Sequence, residues 1–270
     1  MLQYDFMKTA FIVGILLSVI IPCIGMVIVL KRLSMIGDAL SHTSLAGVVA
    51  GLAWNINPIL SATVFCIAAA LGMEIIRKKF PKYSEISVSI IMSLGIGLAA
   101  VFSGFVKTNS NINSFLFGSI VAINDFELYM VVGISILVFL SFVLLYKELF
   151  YIAYNERAAR LSGVPVRLVN FIFTLLTAVT VAVAARTVGA LIVSSMMVLP
   201  VACSMQFEKG YFKTLIGSVI FGMIFMLSGL TISYYFGLQS GGTIVLLGVL
   251  TLIVILIVKA LKEHIWRRVK

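Results

Sequence analysis

Apolar residues in this chain come in long unbroken runs rather than in stripes, separated by short polar or basic breaks. A run of about 20 residues in a helix matches the thickness of a bilayer's hydrocarbon core. The pattern predicts an all-α fold, a polytopic bundle with spans at roughly 9–30, 34–54, 58–76, 86–106, 126–146, 167–185, 188–207, 213–236 and 242–261. The stretch Phe115 to Ile123 is apolar but too short to cross and is expected at the outer interface; the count is nine spans, or eight if one segment near the interface fails to cross. No polar segment is long enough for a second domain, so residues 1–270 form one transmembrane domain.

Charge orients the bundle. The chain carries 20 Lys and Arg against 10 Asp and Glu. With nine spans and an outside N-terminus, 17 of the 20 basic residues fall on the inner side, leaving Lys8, Lys107 and Arg186 outside. The C-terminus is then cytoplasmic. The same clustering between apolar runs argues against nucleic acid as the partner of the +10 net charge, since no continuous basic face is formed. Apolar content of 61% and a mean hydropathy of +1.17 exclude an ordinary soluble domain and make membrane lipid the surrounding medium. Cys23, Cys66 and Cys203 lie in apolar runs without CxxC spacing, which excludes a disulfide framework or a thiolate zinc site. The apolar first run continues past any plausible cleavage point and is expected to be a retained span.

One run carries chemistry. In Ser34-Met35-Ile36-Gly37-Asp38-Ala39-Leu40-Ser41-His42, a carboxylate and an imidazole sit four residues apart, on one face of a helix. A charge at membrane depth costs about 2.5–3.5 kcal/mol on insertion scales and calls for compensation. The spacing suits two ligands of one metal ion; it equally suits an Asp and a His that hydrogen-bond each other or a neighbouring helix. His264, in the basic tail, is expected to be solvated. Met196, Met197 and Met205 near Pro200 are expected to pack rather than ligate. Pro200 removes a backbone hydrogen bond and should kink its span.

The longest polar interval, Tyr154 to Pro165, predicts a short cytoplasmic helix at about 153–164. Asn155 is placed to cap its start and Gly163 its end, with Glu156, Arg157 and Arg160 on its surface.

Three stretches, in order, resemble the permease subunit of bacterial ABC importers for zinc or manganese: Arg32 to His42, Phe115 to Ile120, and Val188 to Val193 leading to Leu199-Pro200-Val201-Ala202. The resemblance covers nearly the whole chain. It implies that Asp38 and His42 help form the transport metal site, that the chain lies in the bacterial cell membrane, and that an extracytoplasmic binding protein delivers the metal. The chain has no GxxxxGK[ST] phosphate loop, so energy must come from a separate cytoplasmic ABC ATPase, and the chain is itself no enzyme. Asn155, Glu156, Arg157, Arg160 and Gly163 would then form the element that docks into that ATPase. One Asp and one His cannot fill tetrahedral zinc; a homodimer pairing two copies of the helix supplies two of each. The transported ion is the only metal implied, with no permanently bound cofactor. Manganese-type members carry Leu-Pro-Gly after the motif histidine, whereas Leu45-Ala46-Gly47 lacks the proline, which favours zinc over manganese or iron. An ATP-independent channel or an intramembrane enzyme are the other classes; no nucleophile–base pair supports the enzyme.

Overall fold

The computed structural model describes residues 5–80, 84–106, 116, 118, 125–190, 192–207 and 210–269. The described residues are helical, joined by tight turns. Helix α1, Asp5–Leu30, runs into a turn at 31–34 where Arg32 takes a left-handed φ of 57°. Helix α2, Met35–Trp54, follows and stops at Asn55, again left-handed. The side chain of Asn57 starts α3, Pro58–Lys79, by accepting hydrogen bonds from the amides of Ile59 (3.0 Å) and Leu60 (3.3 Å). Pro58 is in the one turn of a helix that needs no amide donor, and Arg77, Lys78 and Lys79 meet the negative end of the dipole. Helices α4, Ser84–Ser103, and α5, Asp125–Leu144, come next.

The polar interval forms two short helices. Helix α6, Tyr146–Tyr154, ends at Asn155, whose carboxamide oxygen accepts from the amides of Arg157 and Ala158 at 3.1 Å and so begins α7, Glu156–Leu161. Gly163, at a φ of +85°, closes α7. Helix α8, Val166–Ala184, passes into a π-helical turn, Ala185–Gly189, before α9, Val193–Met205. Two long helices, α10, Gly210–Phe236, and α11, Ser240–Val269, complete the chain.

Helix α1 is the axis of the bundle, with Leu17, Ile20, Ile21 and Ile24 fully buried. Apolar side chains are no more at home against each other than against lipid, so close helix approach must come from small residues. Gly25 of α1 lies directly on the Met197 carbonyl of α9, where a Cβ would collide with backbone. Helices α2, α3 and α4 form the other lobe of the bundle.

Among the described residues, α1, α3, α4, α5, α8, α10 and α11 are long and apolar enough to cross a membrane. Two predicted spans differ from that class for separate reasons. Helix α2 has the length, 20 residues, but is diluted by Ser, Thr, His and Asp. The span read at 188–207 is broken: its regular part has only 13 residues, and the irregularity sits at the π-turn and Gly189 (φ +109°), upstream of Pro200. Pro200 itself is buried within α9. The interfacial reading of Phe115 to Ile123 falls outside the described residues except at Leu116 and Gly118.

Candidate metal site

Helix α2 is held by backbone-to-backbone contacts that only small residues allow. A Cβ on Gly37 would lie 3.2 Å from Ser194 Cβ, so α9 crosses one residue before Asp38. A Cβ on Gly95 of α4 would lie 2.9 Å from the Thr43 amide and 3.1 Å from the His42 carbonyl carbon, so α4 crosses at His42 itself. On the third side, a Cβ on Gly47 would come within 2.6 Å of Ala62 Cα in α3. Thr43 Oγ1 donates to the Ala39 carbonyl at 2.7 Å, and the buried Cys66 thiol donates to the Leu40 carbonyl at 3.4 Å. These contacts fix the turn of helix that carries Asp38 and His42.

Both side chains remain on the open side. Between residues 35 and 52 of α2 the partly accessible positions are Met35, Asp38, His42, Leu45 and Leu52; every other residue there is buried. The steps of three, four, three and seven between them trace a single line along the helix. Asp38 and His42 make no hydrogen bond or ion pair, with each other or with a neighbour, among the described residues. The alternative in which the two satisfy each other within the chain is therefore not what the structure holds. The buried Ser41 hydroxyl, on the next position of the turn, likewise has no hydrogen-bond partner among the described residues. Among the described residues no cluster of three or more His, Cys, Asp or Glu is formed there, so none of them adds a third ligand of those types to Asp38 and His42.

The predicted motifs other than the first also converge. Gly118, with a φ of +78°, rests against the backbone of Val188 and Gly189, so this residue of the second motif meets the π-turn of the third. Met196 and Met197 are buried in packing; Met205 is partly exposed at the end of α9. Asn155, Glu156, Arg157, Arg160 and Gly163 are exposed on and around α7, far in sequence from Asp38, with Arg160 paired to Glu156 at 3.2 Å.

One cluster escaped the sequence reading. Lys31, in the turn that feeds α2, donates to Asn170 Oδ1 of α8 at 2.7 Å and lies over the Phe173 ring. Glu74 and Arg77 of α3 form an ion pair beside it. Asn170, the polar interruption of an apolar run, and Glu74, three residues ahead of Arg77, were the signals available.

The described residues form a helical bundle with seven helices able to cross a membrane and an ionisable pair held on one open helix face, the build of a polytopic membrane protein. The chain belongs to the ABC 3 transport family, whose model matches residues 3–259. It is 31% identical to the manganese transport system membrane protein MntC of Listeria monocytogenes, over 91% of this chain and 88% of that protein. It is 26% identical to the high-affinity zinc uptake system membrane protein ZnuB of Haemophilus influenzae, over 90% of this chain and 94% of that protein. Its fold matches a chain of PsaBC from Streptococcus pneumoniae, solved with a Fab, at a TM-score of 0.83 and 24% identity, covering 94% of this chain and 91% of that one. The protein is a metal-transport permease of the bacterial plasma membrane, a transport subunit rather than a catalytic ATPase.

Proposed function

We propose that two copies of this chain import a divalent first-row metal ion, zinc in the first instance, binding it between the Asp38 and His42 pairs of the two α2 helices. One observation carries the reading: between residues 35 and 52 the uncovered line of α2 is the one that holds both ligands, unpaired, with no third ligand beside them among the described residues. A two-fold axis beside that line completes a set of two carboxylates and two imidazoles, the number tetrahedral zinc takes. The three-four-three spacing of Met35, Asp38, His42 and Leu45 is that of a helix seam, which suits a second α2 better than lipid. Manganese is the second reading, favoured by the 31% identity to the Listeria protein named for manganese.

The chain works with an ATPase in the cytoplasm and an external metal-binding protein, and α7 with its capping residues Asn155 and Gly163 is the docking element. Its Glu156–Arg160 pair is exposed on the surface of α7. The positive-inside distribution puts α7 and the C-terminus in the cytoplasm.

Uptake of zinc and manganese into vesicles holding the chain with its ATPase tests the site. His42→Ala and Asp38→Asn should each reduce uptake at least 100-fold with assembly intact; parent-rate uptake by the His42→Ala complex refutes it. Exchanging the charges, Glu156→Arg with Arg160→Glu, should prevent co-purification of the ATPase, and undiminished co-purification withdraws the docking role of α7.

A further inference from the structure

The turn between α1 and α2 has no part in holding metal, yet it contains a cation drawn away from water, Lys31. Lys31 is the residue at which α1 ends, seven positions before Asp38. Its ammonium donates to Asn170 Oδ1 at 2.7 Å; Asn170 is buried, on the first turns of α8, and α8 is reached from α7 through only Gly163 and its neighbours. The charged groups around Lys31 come from two other elements: Glu74 and Arg77 from α3, and Glu156 from α7 itself. One side chain thus touches α8, feels the first residue of α7, and is covalently next to the helix that bears Asp38 and His42.

The turn is also conformationally committed. Arg32 holds a φ of 57°, unfavourable for a side chain with a Cβ, and the amides of Lys31, Arg32 and Leu33 bond back to Val27, Val29 and Ile28. A turn fixed in this way passes displacement on rather than absorbing it. An ammonium drawn out of water to make a single neutral hydrogen bond is a poor stabiliser. A methionine of similar length would fill the space more cheaply.

We propose that Lys31, through its hydrogen bond to Asn170, is the positioning residue that transmits movement of the ATPase-docked α7–α8 unit to the metal helix α2. The proposal rests on the docking role given to α7 above. When α7 and α8 shift with the ATPase, the Lys31–Asn170 bond pulls the start of α2, and the Asp38–His42 line moves relative to its copy. Lys31 touches neither metal nor nucleotide.

The test uses the whole complex, permease with ATPase, reconstituted with zinc and the external binding protein. Lys31→Met and Asn170→Leu should each leave co-purification and unstimulated ATP hydrolysis within twofold of the parent. Each should reduce the metal-stimulated increment at least tenfold. The double variant should be no worse than either single one, because both remove the same bond. Lys31→Arg, which keeps a donor, should restore most of the stimulation, a rescue that mere packing at this position does not predict. Losses that multiply in the double variant, or stimulation retained by both single variants while the ATPase remains bound, overturn the proposal. If the ATPase instead fails to depend on α7 at all, the Glu156–Arg160 exchange shows that by co-purification alone, so the two failures are separable.

Discussion

Helices α2 and α11 are both long enough to cross a bilayer and are built on opposite principles. Helix α11 carries no charged residue before Lys259, and only 11% of its most apolar stretch is buried in the protein. Its Leu246, Leu250, Ile253, Val254 and Ile257 are exposed. Helix α2 carries Ser41, Thr43, Ser44, Gly37, Gly47 and Gly51 and, between residues 35 and 52, is buried by its own chain on all but one line. A helix that must please only lipid is written in Leu, Ile and Val. A helix that must hold two ionisable groups in place is written in small residues that let three neighbours close on its backbone, and hydropathy recognises it poorly for that reason.

The sharpest break between the two is steric. At Gly47, an added Cβ would meet Ala62 Cα at 2.6 Å and the Ser61 carbonyl oxygen at 2.9 Å, both backbone, which cannot move aside. Gly47→Val should therefore cost at least about 3 kcal/mol and abolish assembly in membranes. At Gly242, on the first turn of α11, an added Cβ meets nothing within 4 Å, and Gly242→Ala should leave stability unchanged or raise it by up to about 1 kcal/mol. Thermal unfolding in detergent checks both, and equal effects at the two positions would erase the distinction.

A smaller effect separates the outward lines of the two helices. With the buried Cys23, Cys66 and Cys203 replaced by alanine, Leu45→Cys on the α2 line should form a disulfide with its copy in a majority of complexes under mild oxidation. Leu250→Cys on α11, 58% exposed, should remain monomeric on denaturing gels under the same conditions. Cross-linking through Leu250 but not Leu45 would put the two-fold axis elsewhere.

The smallest effect lies at the root of α2. Burial, with Arg77 beside it, holds the Lys31 ammonium down from 10.5 to about 8 against the pull of Glu156 and Glu74. Between those two values the unfolded chain binds more protons than the folded one, so the contribution of this group to stability rises with pH across the window and is least favourable below about 8. Lys31→Met should flatten that slope and leave stability at pH 7 equal to or above the parent, measured as thermal stability of the complex at several pH values. A clear loss of stability at pH 7 would make Lys31 a structural residue.

The contrast between α2 and α11 also marks how far the sequence could be read. The apolar runs placed α1, α3, α4, α5, α8, α10 and α11 within about four residues at each end, except that α11 runs eight residues past its predicted end, because long apolar helices announce themselves by composition alone. Asp38 and His42 were legible for the opposite reason, as ionisable groups in an apolar setting. The break at Gly189 was not: the π-turn depends on Gly118 packing against the backbone of Val188 and Gly189, a contact about 70 residues distant that leaves no local periodicity. The Lys31–Asn170 bond, 139 residues apart in the chain, was invisible for the same reason. Nor could spacing tell whether Asp38 and His42 satisfy each other; only the packing of α3, α4 and α9 leaves them together and unpaired.

The central claim is that one metal ion is shared by two copies of α2, and counting bound metal tests it most directly. Equilibrium dialysis of the purified permease–ATPase complex against zinc, with chain number fixed by amino-acid analysis, should give one ion per two permease chains, and none at that site in His42→Ala. One ion bound to every single chain, or half-stoichiometric binding that survives both His42→Ala and Asp38→Asn, would contradict the shared site.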